Sequence, residues 1–505
     1  ENDWAVDGAM TDVKGDRSLS PSKQADPDLF LHVVERRPDG VVVCGAKAHQ
    51  TGIINSHEVI VMPTQSMGPD DKDYAISFAV PLDTKGLFMI IGRQSCVVPS
   101  APGKRFKDDI KVTDMLYQCY ALAEKGEAFA TQLAAIKDRY VSILNGLSMP
   151  ETLLDEEFVT IGENFRKRFG SDYAASRGEY LNGKLIAAYL GFAFVDAAEV
   201  IFFQENGTLN REKTAVAMRE RLTGLDYAVV PGFYGCGADG YVKTFSRGGS
   251  DVTGSIVAGA MKADLYENWT DVSGFLVADP RIVENPVGIR TITYTELREL
   301  SYMGASVLHE EAIFPVRSAG IPINIRNTND PSAPGTMIVP ECNADDCSTY
   351  TITGIAGKKH FSIINIHKDK MNSEVGFCRD VLDVLASHNI SIEHMPSSID
   401  AMTVILETAQ LEGKREQIMT ELRKRVNPDT LEIEDGIALM AVVGHGMYRT
   451  RGVAARIFAA LAHARVNVKM IDQGSSELNI IVGVTEEDFE QAIRCVYDMF
   501  VKSAS

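Results

Sequence analysis

Apolar and polar positions follow three rhythms along the 505 residues. Residues 1–96 carry short apolar runs broken by turn residues, the pattern of a β-rich segment. Leu31-His-Val-Val-Glu-Arg-Arg37 and Val41-Val-Val-Cys44 flank Pro38-Asp-Gly40. Proline presets φ for a turn and glycine accepts positive φ, so a hairpin is predicted there. Ala75 to Val80 and Leu87 to Ile91 are further strand candidates. Residues 97–345 alternate longer periods: Asp114 to Glu124 and Arg211 to Thr223 read as helices, Val200-Ile-Phe-Phe203 and Tyr227-Ala-Val-Val230 as short buried strands. That alternation predicts an α/β fold, a mainly parallel sheet covered by helices on both faces.

Residues 346–505 contain a repeat. At a constant offset of 76, Met371 maps to Met447, Gly376 to Gly452, Leu385 to Leu461, Ile390 to Val466 and Ile392 to Val468. Each copy reads strand, Gly-led helix, strand, loop, strand. Phe377, Val381, Leu382 and Leu385 share one helix face, as do Val453, Ile457, Phe458 and Leu461. The expected units are 346–436 and 437–505.

Composition narrows the function. Hydrophobic residues make up 45% of the chain and charged residues 24%, ordinary for a globular protein with sizeable cores. A net charge of −19 argues against a sequence-independent grip on nucleic acid or an anionic membrane. The longest apolar stretch, Leu185 to Val195, ends at Asp196 and is too short to cross a bilayer. The eight cysteines form no C-x-x-C pair. Cys342 and Cys347 flank a polar linker without a neighbouring histidine cluster, so a solvated, reduced loop is expected and no metal site. No basic-then-apolar leader opens the chain, so a cytoplasmic setting is expected. Because it opens on Glu1 and not Met, its natural start is expected upstream.

Candidate chemistry clusters in the middle region. Phe245-Ser-Arg-Gly-Gly-Ser-Asp251 follows Gly235, Gly237 and Gly240 and opens the helical stretch Val252 to Lys262. Adjacent glycines let backbone approach a ligand, and free N–H groups at a helix start suit an anion. Arg247 adds a bidentate clamp for a carboxylate or phosphate. Trp269-Thr-Asp-Val-Ser-Gly-Phe275 sets Thr270 and Asp271 at a strand end, where ligands sit in open α/β sheets. Asp279-Pro-Arg281 follows within one loop. Ser176-Arg-Gly-Glu179, taken alone, reads as a helix-capping motif.

Together these residues resemble aspartate kinase, of the amino-acid kinase family, over about residues 97–505. The resemblance runs in order through Ser100, Ala101, Thr113 and Asp114, then S-R-G-E, S-R-G-G-S-D, W-T-D-V-x-G, D-P-R, and M-G-A-S-V-L-H from Met303 to His309. It implies an αβα sandwich over 97–345 followed by tandem ACT (βαββαβ) domains. It also implies phosphoryl transfer from ATP-Mg to the side-chain carboxylate of aspartate, at the entry to lysine, threonine and methionine biosynthesis. Glu179, Arg247, Gly248, Gly249, Ser250 and Asp251 would hold aspartate, with Arg247 and Asp251 catalytic and Ser100 and Thr113 lining the substrate side. Thr270, Asp271 and Gly274 would face the nucleotide, with Asp279 and Arg281 nearby. His309, between apolar neighbours, reads as core. Met371, Gly376, Phe377, Ser397 and Ser398 are where the resemblance places an amino-acid effector, lysine or threonine. The second copy carries Gln473-Gly474 in place of the serines, so one effector class is expected, at the first repeat. Glu374, Glu393 and Asp400 would receive a cationic side chain and favour lysine; a merely solvated acidic face is the alternative. A homodimer through the ACT domains follows from the same resemblance.

The pattern breaks in one place. Aspartate kinases open with a strand ending in K-F-G-G-[ST], whose lysine neutralises the phosphates; no such motif occurs in residues 1–505. Phe88-Met-Ile-Ile-Gly-Arg-Gln-Ser95 offers Arg93 instead and no intervening helix. Impaired catalysis is therefore expected. What precedes the join at Cys96-Val97 resembles a slice of the β-domain of 4-hydroxybutyryl-CoA dehydratase, a flavoprotein with FAD and an iron–sulfur cluster. The carriers are Met10 to Arg17, Asp26 to Phe30, Gly45 to Gly52 and Gly92 to Cys96. Met10, Thr11 and His49 to Thr51 would edge a flavin, but half a pocket leaves the cofactor in water, so FAD is not expected to be retained. Genomic rearrangement and assembly error both produce such a chimeric join. Two other functions compete with a working kinase: a catalytically dead amino-acid-sensing ACT module, and a flavin-dependent 4-hydroxyacyl-CoA dehydratase fragment.

Overall fold

The computed structural model describes residues 6–9, 19–24, 26–38, 40–47, 58–63, 67–81, 84, 95–104, 109–245, 249–305, 310–342 and 350–502. The chain divides into two compact units, Glu1–Arg93 and Gln94–Ser505.

In the first unit the expected hairpin forms, His32–Arg37 against Gly40–Cys44. Strands Val6–Ala9, Glu58–Val61 and Phe78–Pro81 make a small sheet over Ala9, Val59 and Val61. The candidate at Leu87 to Ile91 lies outside the described residues. Asp71 ties the unit together by accepting from the backbone N–H of Ser22 at 2.9 Å and of Gly68 at 2.7 Å. Hydrogen bonds from the Ser22 hydroxyl and these amides hold its carboxyl down at about 2.

The second unit opens with Ser95–Val97, so the join at Cys96-Val97 falls inside a strand. That strand runs parallel to Tyr227–Val229, which in turn runs parallel to Ala193–Phe194. A second sheet has the order Tyr266–Thr270, Ile323–Asn327, Thr336–Val339, Thr291–Thr293. It is parallel at both edges and antiparallel only at its centre. The described kinase-like region is thus mainly parallel, as the sequence alternation predicts. Helices Val112–Lys125, Ala130–Gly146, Asp155–Arg166 and Ser171–Leu190 pack on one another around Leu116, Ile136, Tyr140, Ile161 and Phe165.

Two local expectations are corrected. Val200 to Phe203 is not a strand: Ala197–Val200 is a helical turn capped by Asp196, and Phe202 and Phe203 make isolated bridges. A short buried apolar run carries no period to separate the two states, and the Asp196 cap decides. Ser176 does not cap a helix either. It lies inside Ser171–Leu190, with Ser176, Arg177 and Glu179 all buried. Cys342 is disulfide-bonded and not reduced; Cys347 and His309 lie outside the described residues.

The repeat is realised element by element. Strands Gly354–His367 and Thr430–Val443, and helices Phe377–Ser387 and Val453–His463, stand at the predicted offset. The copies do not form separate sheets. In one five-stranded antiparallel sheet, Phe361–His367 pairs with Ala401–Glu407 and with the first half of Thr430–Val443. Gly354–Lys358 pairs instead with Leu439–Val443, beside Asn479–Thr485. Register shifts between Lys358 and Ile363, with His360 at φ +74°, mark the change of partner.

The cores divide the same way. The first repeat has its own, built on Ile364, Phe377, Val381, Leu385, Val404 and Leu422. The second shares one continuous core with the second sheet of the kinase-like region, from Ala258, Ile323 and Ile338 through Leu439 and Val482 to Val496 and Phe500. Replacing fully buried Leu439 by Ala should cost about 2–5 kcal/mol. Hydrogen exchange should then show strands Ile323–Asn327 and Asn479–Thr485 losing protection together, with the first repeat's helix Phe377–Ser387 little changed.

Candidate active site

The parallel strands Ser95–Val97, Ala193–Phe194 and Tyr227–Val229 end together, and the loops that leave them remain stitched. Val230 N–H donates to Val97 O at 3.0 Å, Gly232 N–H to Pro99 O at 3.3 Å, and Val195 N–H to Val229 O at 2.9 Å. Helix Ser171–Leu190 packs against these loops: Asn182 Nδ2 donates to Ser100 O at 2.6 Å. The close approach depends on Gly178, where an added Cβ would meet the Ala101 Cβ at 2.8 Å.

This contact sets Glu179 beside the Ser100–Ala101 loop. Burial pushes its carboxyl up to about 7, against the opposing pull of its own and the Ala101 backbone N–H groups and of the Arg177 charge. Its Oε2 is buried and has no hydrogen-bond partner. Arg177 is also buried, and its surroundings are mostly aromatic. The guanidinium lies 4.3 Å from the Tyr180 ring centre, 4.5 Å from Tyr173 and 5.3 Å from Tyr234, and donates to Ser176 Oγ. Tyr234 is in turn held by donating to Asp196 Oδ1 at 2.7 Å. Thr113 begins helix Val112–Lys125, whose first N–H reaches Pro102 O, so Ser100, Thr113 and Glu179 border one loop.

Helix Gly249–Met261 starts against the turn after Tyr227–Val229. A Cβ on Gly249 would lie 2.5 Å from the Phe233 ring and 2.8 Å from its Cα, so only glycine fits. Thr253 Oγ1 accepts from Phe233 N–H at 3.1 Å and donates to Gly249 O at 2.8 Å. Ser250 sits against Gly232 in the same turn. Asp251 faces the second sheet, where Asn268 Nδ2 donates to its Oδ1 at 2.9 Å and Tyr266 OH to its backbone O at 3.2 Å. Arg247 and Gly248 lie outside the described residues.

Strand Tyr266–Thr270 therefore carries Asn268, which grips Asp251, two residues before Thr270. Thr270 O accepts from both Thr328 N–H, at 2.8 Å, and Thr328 Oγ1, at 2.9 Å, leaving Asp271 exposed at the strand's end. Gly274 adopts φ +91° and packs on Thr336. Arg281 folds onto Asp279 with Nε at 3.0 Å and Nη2 at 2.6 Å from its oxygens, and this bond lowers the Asp279 carboxyl. Sequence reasoning missed two contributors, the aromatic surround of Arg177 and the Asn268 anchor. Tyr173 and Tyr180 stand at i−4 and i+3 from Arg177, a helical spacing visible once Ser176 is read as mid-helix.

At the first repeat, Met371 and Phe377 are core residues and Gly376, at φ +91°, precedes the helix. Ser397 and Ser398 are exposed on a turn tied back to the Met371 segment. Lys370 N–H donates to Asp400 Oδ1 at 2.8 Å and Asn372 N–H to Ile399 O at 3.0 Å. The five effector candidates therefore lie in two joined segments. The three nearby acids already have partners: Glu374 pairs with Lys368, Glu393 accepts from Tyr302 OH at 2.5 Å, and Asp400 accepts from Lys370. Among the described residues, His367, Asp369 and Asp429 also form an exposed cluster.

Comparison with known proteins follows the same divisions. Sequence profiles match 4-hydroxyphenylacetate 3-hydroxylase N terminal over residues 1–113, the amino acid kinase family over 86–327 and an ACT domain over 440–500. Aspartokinase 3 of Bacillus subtilis is 40% identical over 425 residues, 81% of this chain and 92% of its own. The 4-hydroxybutyryl-CoA dehydratase/vinylacetyl-CoA-Delta-isomerase of Clostridium aminobutyricum is 72% identical over 96 residues, 19% of this chain, which spans only 20% of that enzyme. The crystal structure of Clostridium acetobutylicum aspartate kinase superposes with a TM-score of 0.71 at 51% identity, covering 80% of this chain and 92% of that one. Aspartokinase III of Escherichia coli, in complex with aspartate and ADP, gives 0.56 at 25% identity with the same coverage. Its complex with lysine and aspartate gives 0.55, again at 25% identity, 80% and 92%.

Gly178→Ala should force helix Ser171–Leu190 and the Ser100–Ala101 loop apart, since neither contacting atom is the tip of a flexible side chain. Overpacking of this kind costs about 1–3 kcal/mol, to be read as a lower midpoint in denaturant.

Proposed function

The chain belongs to the aspartate kinase family, and from that premise we propose that residues 97–345 bind aspartate and ATP-Mg and phosphorylate the aspartate side chain. A carboxylate oxygen attacks the γ-phosphorus, the bond from γ-phosphorus to the β–γ bridging oxygen breaks, and ADP leaves with that electron pair. The single observation that carries this reading is Glu179, a buried carboxylate with one oxygen unpartnered. A site built to receive the aspartate ammonium would leave such an acceptor open, because a buried acid without a cation is costly. Arg247 would grip a substrate carboxylate, with Gly248, Gly249 and Ser250 offering the helix start and Asp251 held by Asn268. Thr270, Asp271 and Gly274 would face the nucleotide, with Asp279 and Arg281 beside them; Ser100 and Thr113 would line the substrate side. ATP-Mg enters as substrate. No helix among the described residues is long and apolar enough to cross a membrane.

The first repeat would bind the effector where Met371 to Phe377 meets Ser397 and Ser398. Lysine remains the favoured ligand over threonine, on the E. coli enzyme's complex with lysine. A cationic effector must exchange with Lys368 at Glu374 or with Tyr302 at Glu393. Val375 is fully exposed and Ile399 is 67% exposed beside this region, which supports a dimer contact there.

Three outcomes test these readings. Glu179 must be ionised to hold an ammonium group, so aspartate affinity should fall as pH drops through about 7. Glu179→Gln should weaken aspartate binding by about 10- to 100-fold and flatten that pH dependence, as calorimetric titration would show. Catalysis is the second. The segment preceding Val97 supplies no phosphate-neutralising lysine from a K-F-G-G strand, and such a charge partner is worth about 2.7–4 kcal/mol. Aspartyl phosphate trapped with hydroxylamine should accumulate at least about a hundredfold more slowly than with the B. subtilis relative. Replacing residues 1–96 by a K-F-G-G strand and its helix should restore the rate. Effector choice is the third: a native-state ligand at a hundredfold excess over Kd adds about 2.7 kcal/mol. Thermal melts of the full chain should rise with lysine and not with threonine or methionine.

A further inference from the structure

The loop that carries Asp279 and Arg281 is gripped at two points by the chain's last helix, Phe489–Phe500, an element of the second regulatory repeat. The loop is the tip of a short antiparallel excursion. Val277 N–H donates to Val287 O at 2.9 Å and Ile289 N–H to Phe275 O at 2.8 Å, so the two arms are Phe275–Val277 and Val287–Ile289. On the tip, the Asp279 carbonyl receives Ile282 N–H and Val283 N–H, both at 2.9 Å, which fixes the turn behind Arg281. Tyr497 OH accepts Val287 N–H at 3.0 Å, on one arm. Arg494 Nε donates to Ile282 O at 2.8 Å, on the tip, while its Nη2 pairs with Glu490. Tyr497 is 3% exposed and Val283 5%, both inside the core that the second repeat shares with the nucleotide side.

We propose that Tyr497 and Arg494 are positioning residues for nucleotide binding: the last helix of the second repeat braces the Asp279–Arg281 loop against ATP-Mg or ADP. This gives the second repeat a role other than effector binding, in keeping with its lack of the Ser397-Ser398 pair. The inference rests on the reading that this loop faces the nucleotide. The backbone groups involved are an N–H and a carbonyl of the loop itself, so the brace sets the loop's course without touching the ligand. A displacement of helix Phe489–Phe500 would be felt first as a change in nucleotide affinity, and aspartate, bound at Glu179 on a different core, would be spared.

The test uses the full chain and MgADP, with aspartate as the internal control. Tyr497→Phe keeps the ring in the core and removes only the acceptor; Arg494→Gln removes the tip contact; Arg281→Ala probes the loop's own contact with nucleotide. Calorimetry should find MgADP binding weakened about 3- to 10-fold by each brace variant, with aspartate affinity unchanged. Hydrogen exchange should quicken across residues 279–288 and not in strand Tyr266–Thr270. If Arg281→Ala weakens MgADP but Tyr497→Phe and Arg494→Gln do not, the brace is refuted and the nucleotide reading of the loop stands. If Arg281→Ala leaves MgADP binding untouched, or the parent chain does not bind it, the reading of the loop fails and the brace with it. Equal losses of MgADP and aspartate affinity, or a lowered melting point at unchanged affinity, would make Tyr497 and Arg494 merely structural and would also overturn the proposal.

Discussion

One shared apolar core binds the second kinase sheet and the second repeat together. Ile323 and Ile338 from the second kinase sheet, Leu439 and Val482 from the regulatory sheet, and Val496 and Phe500 from the last helix exclude water as one body. Regulatory and catalytic parts of a chain are commonly joined by a linker and a polar interface. Here the boundary is a packed interior, which tolerates little deformation. Glu296 adds a polar bolt through the same interior. It caps its own helix through Thr293 and also accepts Thr353 Oγ1 at 2.5 Å and His445 N–H at 2.7 Å, so both its oxygens are satisfied by donors from three segments. The first repeat keeps a core of its own, yet it is joined to this body through the common sheet, with Phe361, Ile363 and Ile405 packed into the shared interior.

The buried face of helix Ser171–Leu190 rests on a different balance. Glu179 and Arg177 are buried two residues apart in one helix and share no hydrogen bond among those described. Arg177 is satisfied by a hydroxyl and three aromatic rings, which stabilise its charge without consuming a carboxylate. Its charge therefore still opposes the desolvation that raises Glu179, while Glu179 Oε2 keeps no hydrogen-bond partner. A direct ion pair would have occupied that oxygen.

Much of this was legible in the sequence, and the omissions have physical causes. The repeat offset survives into strands and helices because each copy keeps its apolar period. The hairpin at Pro38 and the helices at Asp114 and Arg211 follow from turn chemistry and periodicity. Ser176-Arg-Gly-Glu179 misled because its residues also fit a cap, and only burial against Ala101 shows them mid-helix. Val200 to Phe203 misled because an apolar run alone does not distinguish a turn from a strand. The sharing of strand Gly354–His367 between two modules, and of one core between repeat and kinase sheet, was invisible for another reason. Both are long-range pairings, and no local pattern encodes the partner.

That shared strand also bears on how such a chain can be inherited. Gly354–Lys358 opens the first copy in sequence but pairs in the second copy's half of the sheet, and Thr430–Val443 crosses both. Removing either copy by recombination would leave an unpaired strand edge on the survivor, a template for aggregation. An exchange that keeps both edges paired must therefore carry the two copies together. The join at Cys96-Val97 is of another kind, lying within strand Ser95–Val97 and close in sequence to the division between the two compact units.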